Sequence, residues 1–319
     1  LVFIGPSPEV LEGFGDKSAA RALAQSCDVP LIEGISKPVS LGEARTFLRE
    51  HGPLMLKAIA GGGGRGMRAV YAETELEQAF QRCQSEAEAA FGNGSLYIEQ
   101  LIGRARHIEI QVIGDGTGAV SHLWERDCSL QRRNQKLIEI APSPSLDASI
   151  RDAMIDCALK LARSVNYRGL GTFEFLVDQD QPGRFYFMEA NPRIQVEHTI
   201  TEEITGVDLV QTQLQLLAGH SLAELALESA PTVRGFAIQA RINSETLHPD
   251  GHATAATGTL STYEPPSGPG LRVDGYGYAG YTVSPSFDSL LAKLVAHGSD
   301  YPTTLRDRKS TRLNSSHYS

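Results

Sequence analysis

The segment Met188–His198, MEANPRIQVEH, gives the strongest indication of a chemical site in the sequence. Polar and apolar residues alternate along it, and the polar set is Glu189, Asn191, Arg193, Gln195 and Glu197. Side chains of an extended chain point alternately to two faces, so these five groups are predicted to share one face. Such alternation also fits an exposed sheet edge. A set with two carboxylates, two amides and a guanidinium instead favours a chemical site.

Glu174 adds a further carboxylate near this segment. Residues 172–177 and 184–189 are predicted to form a β-hairpin, in which Glu174 approaches Glu189 if the register allows it. Two carboxylates and an amide oxygen are hard ligands suited to Mg²⁺ that is shared with nucleotide phosphates. We therefore predict a metal site at Glu174, Glu189 and Asn191.

Lys57 interrupts the apolar run 53–60 and precedes the glycine-rich loop Gly61–Gly66, which contains Arg65. A lysine in such a strand requires an anionic partner. Consecutive glycines leave backbone N–H groups free to approach phosphate oxygens. The loop is not a P-loop, because no Gly-Lys-Ser/Thr follows. A phosphate site is predicted here, and a flexible loop with an exposed Arg65 is the alternative.

A basic cluster lies in the segment 125–136, ERDCSLQRRNQK; its members are Arg126, Arg132, Arg133 and Lys136. It predicts an anion site for bicarbonate or phosphate. The alternative is a solvated loop with surface ion pairs. Cys128 lies within the segment, but no His/Asn partner pattern accompanies it, so we interpret it as a structural cysteine.

Composition limits the classes of function. The chain has 319 residues, 41% of them hydrophobic, and a net charge of −9, which argues against general nucleic-acid binding. The longest apolar runs are too short for a membrane span. The four cysteines show no metal-binding spacing, which favours a reducing, cytoplasmic setting.

Alternating strand-like and helical patterns predict a mixed α/β (α+β) fold. Helices are predicted at 16–26, 73–90, 149–164 and 207–218. Strands are predicted at 1–4, 53–60, 95–100, 107–113 (half-buried), 120–124, 172–177 and 184–189, before a β-rich segment from 233. Both ends are interpreted as cut. Residues 307–319 have the appearance of a translated sequencing adapter and are excluded from the fold prediction.

Together these motifs resemble the biotin carboxylase family of ATP-grasp enzymes, from Phe3 to about Thr304. The stretches that carry the resemblance include GDKSAA, LKAIAGGGGRGMR, ERDCSLQRRNQKLIEIAPSP, MEANPRIQVEHTITEEITGVDLV and AGYTVSPSFDSLLAKLVAHG. ERDCS and RIQVEH are specific to biotin carboxylases and close relatives. The resemblance implies a flexible lid at 31–101, an ATP-grasp core at 102–230 and a β-rich C-terminal subdomain at 231–306. Residues 1–30 would be the remnant of an N-terminal region.

The resemblance also implies roles for individual residues. ATP would be bound by Lys17, Lys57, Gly62, Gly63, Gly64, Arg65, Gly66, Met67, Glu99, Gln100, Ile102, His107 and Gln131. Mg²⁺ or Mn²⁺ would be held by Glu174, Glu189 and Asn191. Bicarbonate would be bound by Lys136, Arg193, Gln195 and Val196. Glu197 would be the general base, Arg193 a catalytic arginine, and Arg272 the group that stabilises the biotin enolate.

The implied activity is a ligase reaction in which ATP and bicarbonate carboxylate biotin on a carrier. A biotin carboxyl carrier and a carboxyltransferase would be its partners, and the intact protein would be a homo-oligomer. Two positions depart from the family pattern: Asn134 stands in place of histidine, and Gln100 in place of lysine. Two alternatives stay open, namely another ATP-grasp ligase of the carbamoyl-phosphate synthetase type and a catalytically silent nucleotide-binding module.

Overall fold

The structure, a computed structural model, describes residues 2–60, 66–249, 251 and 253–310. Its helices are α1 (Pro8–Gly15), α2 (Lys17–Ser26), α3 (Leu41–His51), α4 (Glu73–Phe91), α5 (Ala148–Ser164), α6 (His198–Thr205), α7 (Leu209–Leu217) and α8 (Tyr301–Ser310). Its first nine strands are β1 (Gly34–Ile35), β2 (Leu54–Ala58), β3 (Met67–Val70), β4 (Leu96–Gln100), β5 (Ala105–Asp115), β6 (Val120–Arg132), β7 (Gln135–Ala141), β8 (Arg168–Asp178) and β9 (Phe185–Asn191). The remaining strands are β10 (Phe236–Asn243), β11 (Glu245–Leu247), β12 (Ala253–Ala255), β13 (Gly258–Thr259), β14 (Leu271–Gly275), β15 (Thr282–Val283) and β16 (Leu290–Gly298).

An eight-stranded antiparallel sheet forms the larger part of the fold, in the order β14-β16-β10-β7-β6-β5-β8-β9. The apolar sides of α1, α2 and α5 cover one face of it, and α6 and α7 lie on the other. Strands from the β-rich last segment join the strands of the predicted core in this one sheet. The sheet is therefore continuous across residue 230.

A separate four-stranded antiparallel sheet, β1-β4-β2-β3, carries its own hydrophobic core beneath α3 and α4. Local signals explain its helices. Ser40 and Glu43 form a reciprocal capping box at the start of α3, and α4 ends at Gly92, whose φ of 68° is left-handed. This sheet positions Lys57 on β2 next to Tyr97 on β4.

The mixed helix-and-sheet fold is confirmed, and so is the predicted helix 16–26. Asp16 caps α2, because its Oδ1 accepts hydrogen bonds from the backbone N–H groups of Ser18 and Ala19 at 2.8 and 2.9 Å. No helix in the described ranges is long and apolar enough to cross a membrane.

Three local predictions were wrong. Residues 2–4 form no strand, and their side chains are 55–76% exposed, because no described strand pairs with them. The strand predicted as half-buried is instead central, with Glu109 0% exposed, because β6 and β8 flank it and α6 covers the polar side of the sheet. The extended conformation predicted for 188–198 ends at Asn191, after which the chain turns into α6.

Candidate active site

A cavity of about 960 Å³ lies between the two larger sheets, with lining residues from both. Lys57, Tyr97 and Glu99 come from the four-stranded sheet, and Glu174 and Glu189 come from the eight-stranded sheet. Residues predicted from separate motifs therefore face a single space.

Cationic groups occupy one end of the cavity. The ammonium groups of Lys17 and Lys57 lie 5.8 and 5.9 Å from the ring centroid of Tyr97, which is a cation–π distance. Lys57 also forms an ion pair with the buried carboxylate of Glu99. Burial lowers the pKa of Lys17, and the neighbouring cation Lys57 lowers it further. The attraction of Glu189 raises this pKa and partly offsets both effects. This end is built to attract an anion such as a phosphate chain.

Glu174 and Glu189 are direct partners in the register of β8 and β9. The Asn191 Nδ2 donates to Glu174 Oε1 at 3.0 Å and to Glu189 Oε1 at 3.3 Å. Burial and the neighbouring Glu174 raise the pKa of Glu189. Two carboxylates that repel each other beside an amide are a donor set that fits a divalent cation. The hairpin predicted from the sequence is thus present.

Lys136 is the centre of a buried ionic network. Its Nζ lies 2.6 Å from Glu109 Oε2, 3.0 Å from Glu174 Oε1 and 2.6 Å from Glu197 Oε1. Burial opposes the charged form, but the three carboxylates raise the pKa of Lys136 well above its ordinary value. Lys136 is therefore a permanent cation, and it links Glu174 of the candidate metal-binding set to Glu197.

Glu197 immediately precedes α6, at its N-cap position, and is 2% exposed. Its second oxygen accepts a hydrogen bond of 3.0 Å from Arg241 Nη2. Burial works against ionisation, yet Lys136, Arg126 and Arg241 lower the pKa of Glu197 to about 2. The carboxylate is therefore ionised and able to accept hydrogen bonds over the working range of most enzymes.

Arg126 supports this network from beneath the cavity. It is fully buried on β6 and pairs with Glu109. Its Nη atoms also donate to Gln111 Oε1, Thr201 Oγ1 and Thr172 Oγ1 at 2.7, 2.9 and 3.1 Å. Arg126 and Lys136 of the basic cluster predicted at 125–136 both contact Glu109, but Arg126 is fully buried and does not line the cavity, whereas Lys136 does. The alternative of a solvated loop was wrong, because most of the segment lies in β6 and β7.

His107 and Gln195 add polar contacts on the cavity wall. His107 Nε2 lies 2.8 Å from Glu174 Oε2, and its Nδ1 lies 2.8 Å from Gln131 Nε2. Burial opposes the charged ring, but Glu174 raises the pKa of His107. Gln195 Nε2 donates to Glu174 Oε1 at 3.0 Å, whereas the buried Gln195 Oε1 has no partner among the described residues. That oxygen is available to a ligand in the cavity.

The other predicted site residues fall into four groups. Those that line the cavity as well are Met67, Gln100, Ile102, Arg193 and Val196. Gly66 closes the β2–β3 hairpin with a φ of 66° and does not line the cavity. Arg272 lies on the edge strand β14, where it pairs with Asp274 and Glu202 away from the cavity lining. Gly62, Gly63, Gly64 and Arg65 lie outside the described residues.

Arg241 is a cavity residue that the sequence analysis missed. Its guanidinium bridges Glu197 and the buried Glu139, with Nε 2.6 Å from Glu139 Oε1. The signal that could have found it was its place in the alternating run 236–243, where one arginine shares a face with Gln239. Tyr97 was also missed, because a single tyrosine in a short strand gives no periodic signal.

Comparison with known proteins places this geometry in a family. Residues 16–225 match the family model of the carbamoyl-phosphate synthase L chain, ATP binding domain, and residues 239–316 match that of the biotin carboxylase C-terminal domain. The biotin carboxylase domain of Hydrogenobacter thermophilus 2-oxoglutarate carboxylase superposes with a TM-score of 0.90 at 40% identity, covering 97% of this chain and 68% of that one. The chain belongs to the biotin carboxylase family.

Other members of the biotin carboxylase family give the same result. The Campylobacter jejuni biotin carboxylase superposes with a TM-score of 0.89 at 39% identity, over 97% of this chain and 68% of that one. Pyruvate carboxylase from Aspergillus niger is 49% identical over 96% of this chain, and the human mitochondrial enzyme is 47% identical over 94%. The chain spans about a quarter of these two relatives, since it covers 26% of each.

Proposed function

We propose that this chain activates bicarbonate with ATP and carboxylates biotin, the first half-reaction of a biotin-dependent carboxylase. The observation that carries the proposal is the single cavity in which the Lys17–Lys57 pair, the Glu174–Glu189–Asn191 set and the Lys136–Glu197–Arg241 network meet. A phosphate-binding end, a cation-binding set and a buried ionised carboxylate are the three parts that the reaction requires. The solved relatives include complexes described as containing MgADP and bicarbonate.

The first step would take place beside Lys136. Bicarbonate would bind to the Lys136 ammonium and to Gln195, and Glu197 would accept its proton as an oxygen attacks the γ-phosphorus of ATP. The γ-phosphorus–oxygen bond to ADP breaks, and carboxyphosphate forms. Lys17 and Lys57 would offset charge on the phosphates. A divalent cation held by Glu174, Glu189 and Asn191 would neutralise phosphate charge.

The second step needs a group that stabilises an anion on biotin. Carboxyphosphate would release CO₂, the departing phosphate would take the N1′ proton of biotin, and the resulting enolate would attack CO₂. The resemblance to biotin carboxylases implies Arg272 for this role. Arg241 is the better placed of the two, because it lines the cavity and contacts Glu197. We propose Arg241 for this role and keep Arg272 as the alternative.

The domain boundaries and partners form part of the proposal. The four-stranded sheet would be the lid, 31–101, and the large sheet would unite the core, 102–230, with the C-terminal subdomain, 231–306. A carrier for biotin and a carboxyltransferase would act with this chain in an intact protein that is a homo-oligomer. The four free cysteines support a reducing compartment, for which we propose the cytoplasm.

The test is ADP release by the complete protein with Mg²⁺, with and without bicarbonate and free biotin. Release that requires bicarbonate and rises with biotin supports the proposal. Release that is indifferent to biotin would indicate another ATP-grasp ligase. A folded protein that releases no ADP would indicate the silent nucleotide-binding module.

A further inference from the structure

The Glu99 carboxylate is shared by two cations from different elements. Its Oε1 accepts a hydrogen bond from Arg21 Nη1 on α2, and its Oε2 accepts one from Lys57 Nζ on β2. Glu99 is 4% exposed, so little solvent competes for the carboxylate. Each cation therefore affects how strongly the other is held.

The two cations differ in their freedom to move. Arg21 is fixed at three points, since its Nε donates to Ser36 Oγ at 2.7 Å and its Nη2 to the Ile32 carbonyl at 2.7 Å. Arg21 does not line the cavity, whereas Lys57 does. Lys57 also has a flexible stem and lies beside the Tyr97 ring, which holds it less rigidly than hydrogen bonds hold Arg21. A ligand in the cavity would move Lys57 and leave Arg21 in place.

We propose that Arg21 is a positioning residue that retains the Glu99 carboxylate when Lys57 turns to nucleotide phosphates. An unpaired buried carboxylate is strongly unfavourable, so Lys57 leaves Glu99 readily only if another cation stays behind. Arg21 is that cation. This inference rests on one part of the proposed function, namely that the cavity binds a nucleotide.

Removing Arg21 has a defined consequence. In Arg21→Met, Lys57 is the cation that remains hydrogen-bonded to Glu99 among the described residues. Glu99 then holds Lys57 more tightly and loses this hydrogen bond whenever Lys57 binds phosphate. ATP affinity should therefore fall by about tenfold. In the double variant Arg21→Met/Glu99→Gln, the competing charge is absent and Lys57 is released. The amide introduced at position 99 cannot restore the contacts of Arg21 with Ser36 and Ile32, so a rescue would not come from repaired packing.

The experiment measures ATP binding by calorimetry in the complete protein and in the two variants, with thermal unfolding as a check on folding. The expected result is about tenfold weaker ATP binding for Arg21→Met, and ATP binding in the double variant that is about threefold tighter than in Arg21→Met. Arg49→Met is the matched control, because Arg49 pairs with Glu73 on the surface. Unchanged affinity in Arg21→Met, or a double variant no better than the single one, would overturn the inference.

A second measurement does not depend on nucleotide binding. Peptide mass spectrometry can follow the modification of Lys57 by an amine-reactive reagent. The rate of this modification should fall in Arg21→Met and recover in the double variant. If the wild-type protein binds no ATP, the proposed function fails at its nucleotide site, and the Lys57 rates alone decide for or against Arg21. Equal rates in all three proteins would contradict the role of Arg21.

Discussion

At the scale of single residues, the site depends on buried charges that compensate one another. Lys136 contacts three carboxylates, and Glu197 contacts two cations. Removing one member of such a set leaves its partners buried and unpaired, which costs more than the pair itself contributes. Single substitutions here should therefore affect chemistry and stability together, and the two effects must be measured separately.

Glu197→Gln tests the proposed base. The amide keeps the size of the side chain but accepts no proton, so bicarbonate-dependent ADP release should fall by about 10²- to 10⁴-fold. Nucleotide binding should survive, because Lys17 and Lys57 contact Tyr97 and Glu99, whereas Glu197 contacts Lys136 and Arg241. Steady-state ADP release and ATP calorimetry check both parts, with the exposed Glu228→Gln as the control. Turnover equal to the wild type would remove Glu197 from the mechanism.

The depressed pKa of Glu197, about 2, predicts a pH dependence of stability. A carboxyl whose pKa is lower in the folded than in the unfolded state stabilises the fold above its unfolded value, and this contribution is lost as pH falls towards 2. The stability difference between wild type and Glu197→Gln should therefore narrow by on the order of 1 kcal/mol between about pH 5.5 and 3.5. Denaturant unfolding at both pH values measures it. A constant difference would show that Glu197 is not held ionised by its neighbours.

At the scale of elements, turns and strand alternation decide which side chains reach the cavity. Arg133 and Asn134 form the two-residue turn between β6 and β7, with φ values of 50° and 63°. Left-handed backbone at both positions suits asparagine, which gives a local reason for Asn134 where the family pattern has histidine. The turn fixes the register that places Lys136 opposite Gln131.

Asn134→Val should destabilise the protein by about 1–2 kcal/mol, because a β-branched side chain is strained in the left-handed region. Asn134→Gly is the matched control and should retain the stability of the wild type. Urea unfolding of the three proteins gives the comparison. Equal stability of the valine variant would mean that the turn adopts another conformation.

The sequence predicted the elements better than the burial of their polar residues. Local signals such as Asp16 as a helix cap and the hairpin that pairs Glu174 with Glu189 require few distant contacts. The burial of Glu109 and Arg126 could not be predicted, because it depends on β6, β8 and α6 meeting around them. Arg241 was missed for the same reason, since its partner Glu139 is 102 residues away in the chain.

At the scale of the whole molecule, two sheets with separate hydrophobic cores face one cavity. Each core is buried within its own sheet and helices, and such a unit is the kind that opens cooperatively in a folded protein. A ligand that contacts both sheets adds binding energy that is lost when either part unfolds. Nucleotide binding should therefore stabilise the molecule as a unit.

ATP with Mg²⁺ at about 100 times its Kd should stabilise the folded protein by about 2.7 kcal/mol. For a chain of this size, the shift in Tm should be roughly 5 °C. Lys57→Met should lose more than half of that shift at the same ATP concentration, since Lys57 is the cation that the described part of the four-stranded sheet contributes to the cavity. Lys160→Met is the control, because Lys160 is exposed on α5. Differential scanning calorimetry provides the measurement, and a single transition that moves upward as a whole is expected. A shift confined to one of two resolved transitions would show that the nucleotide contacts one sheet alone.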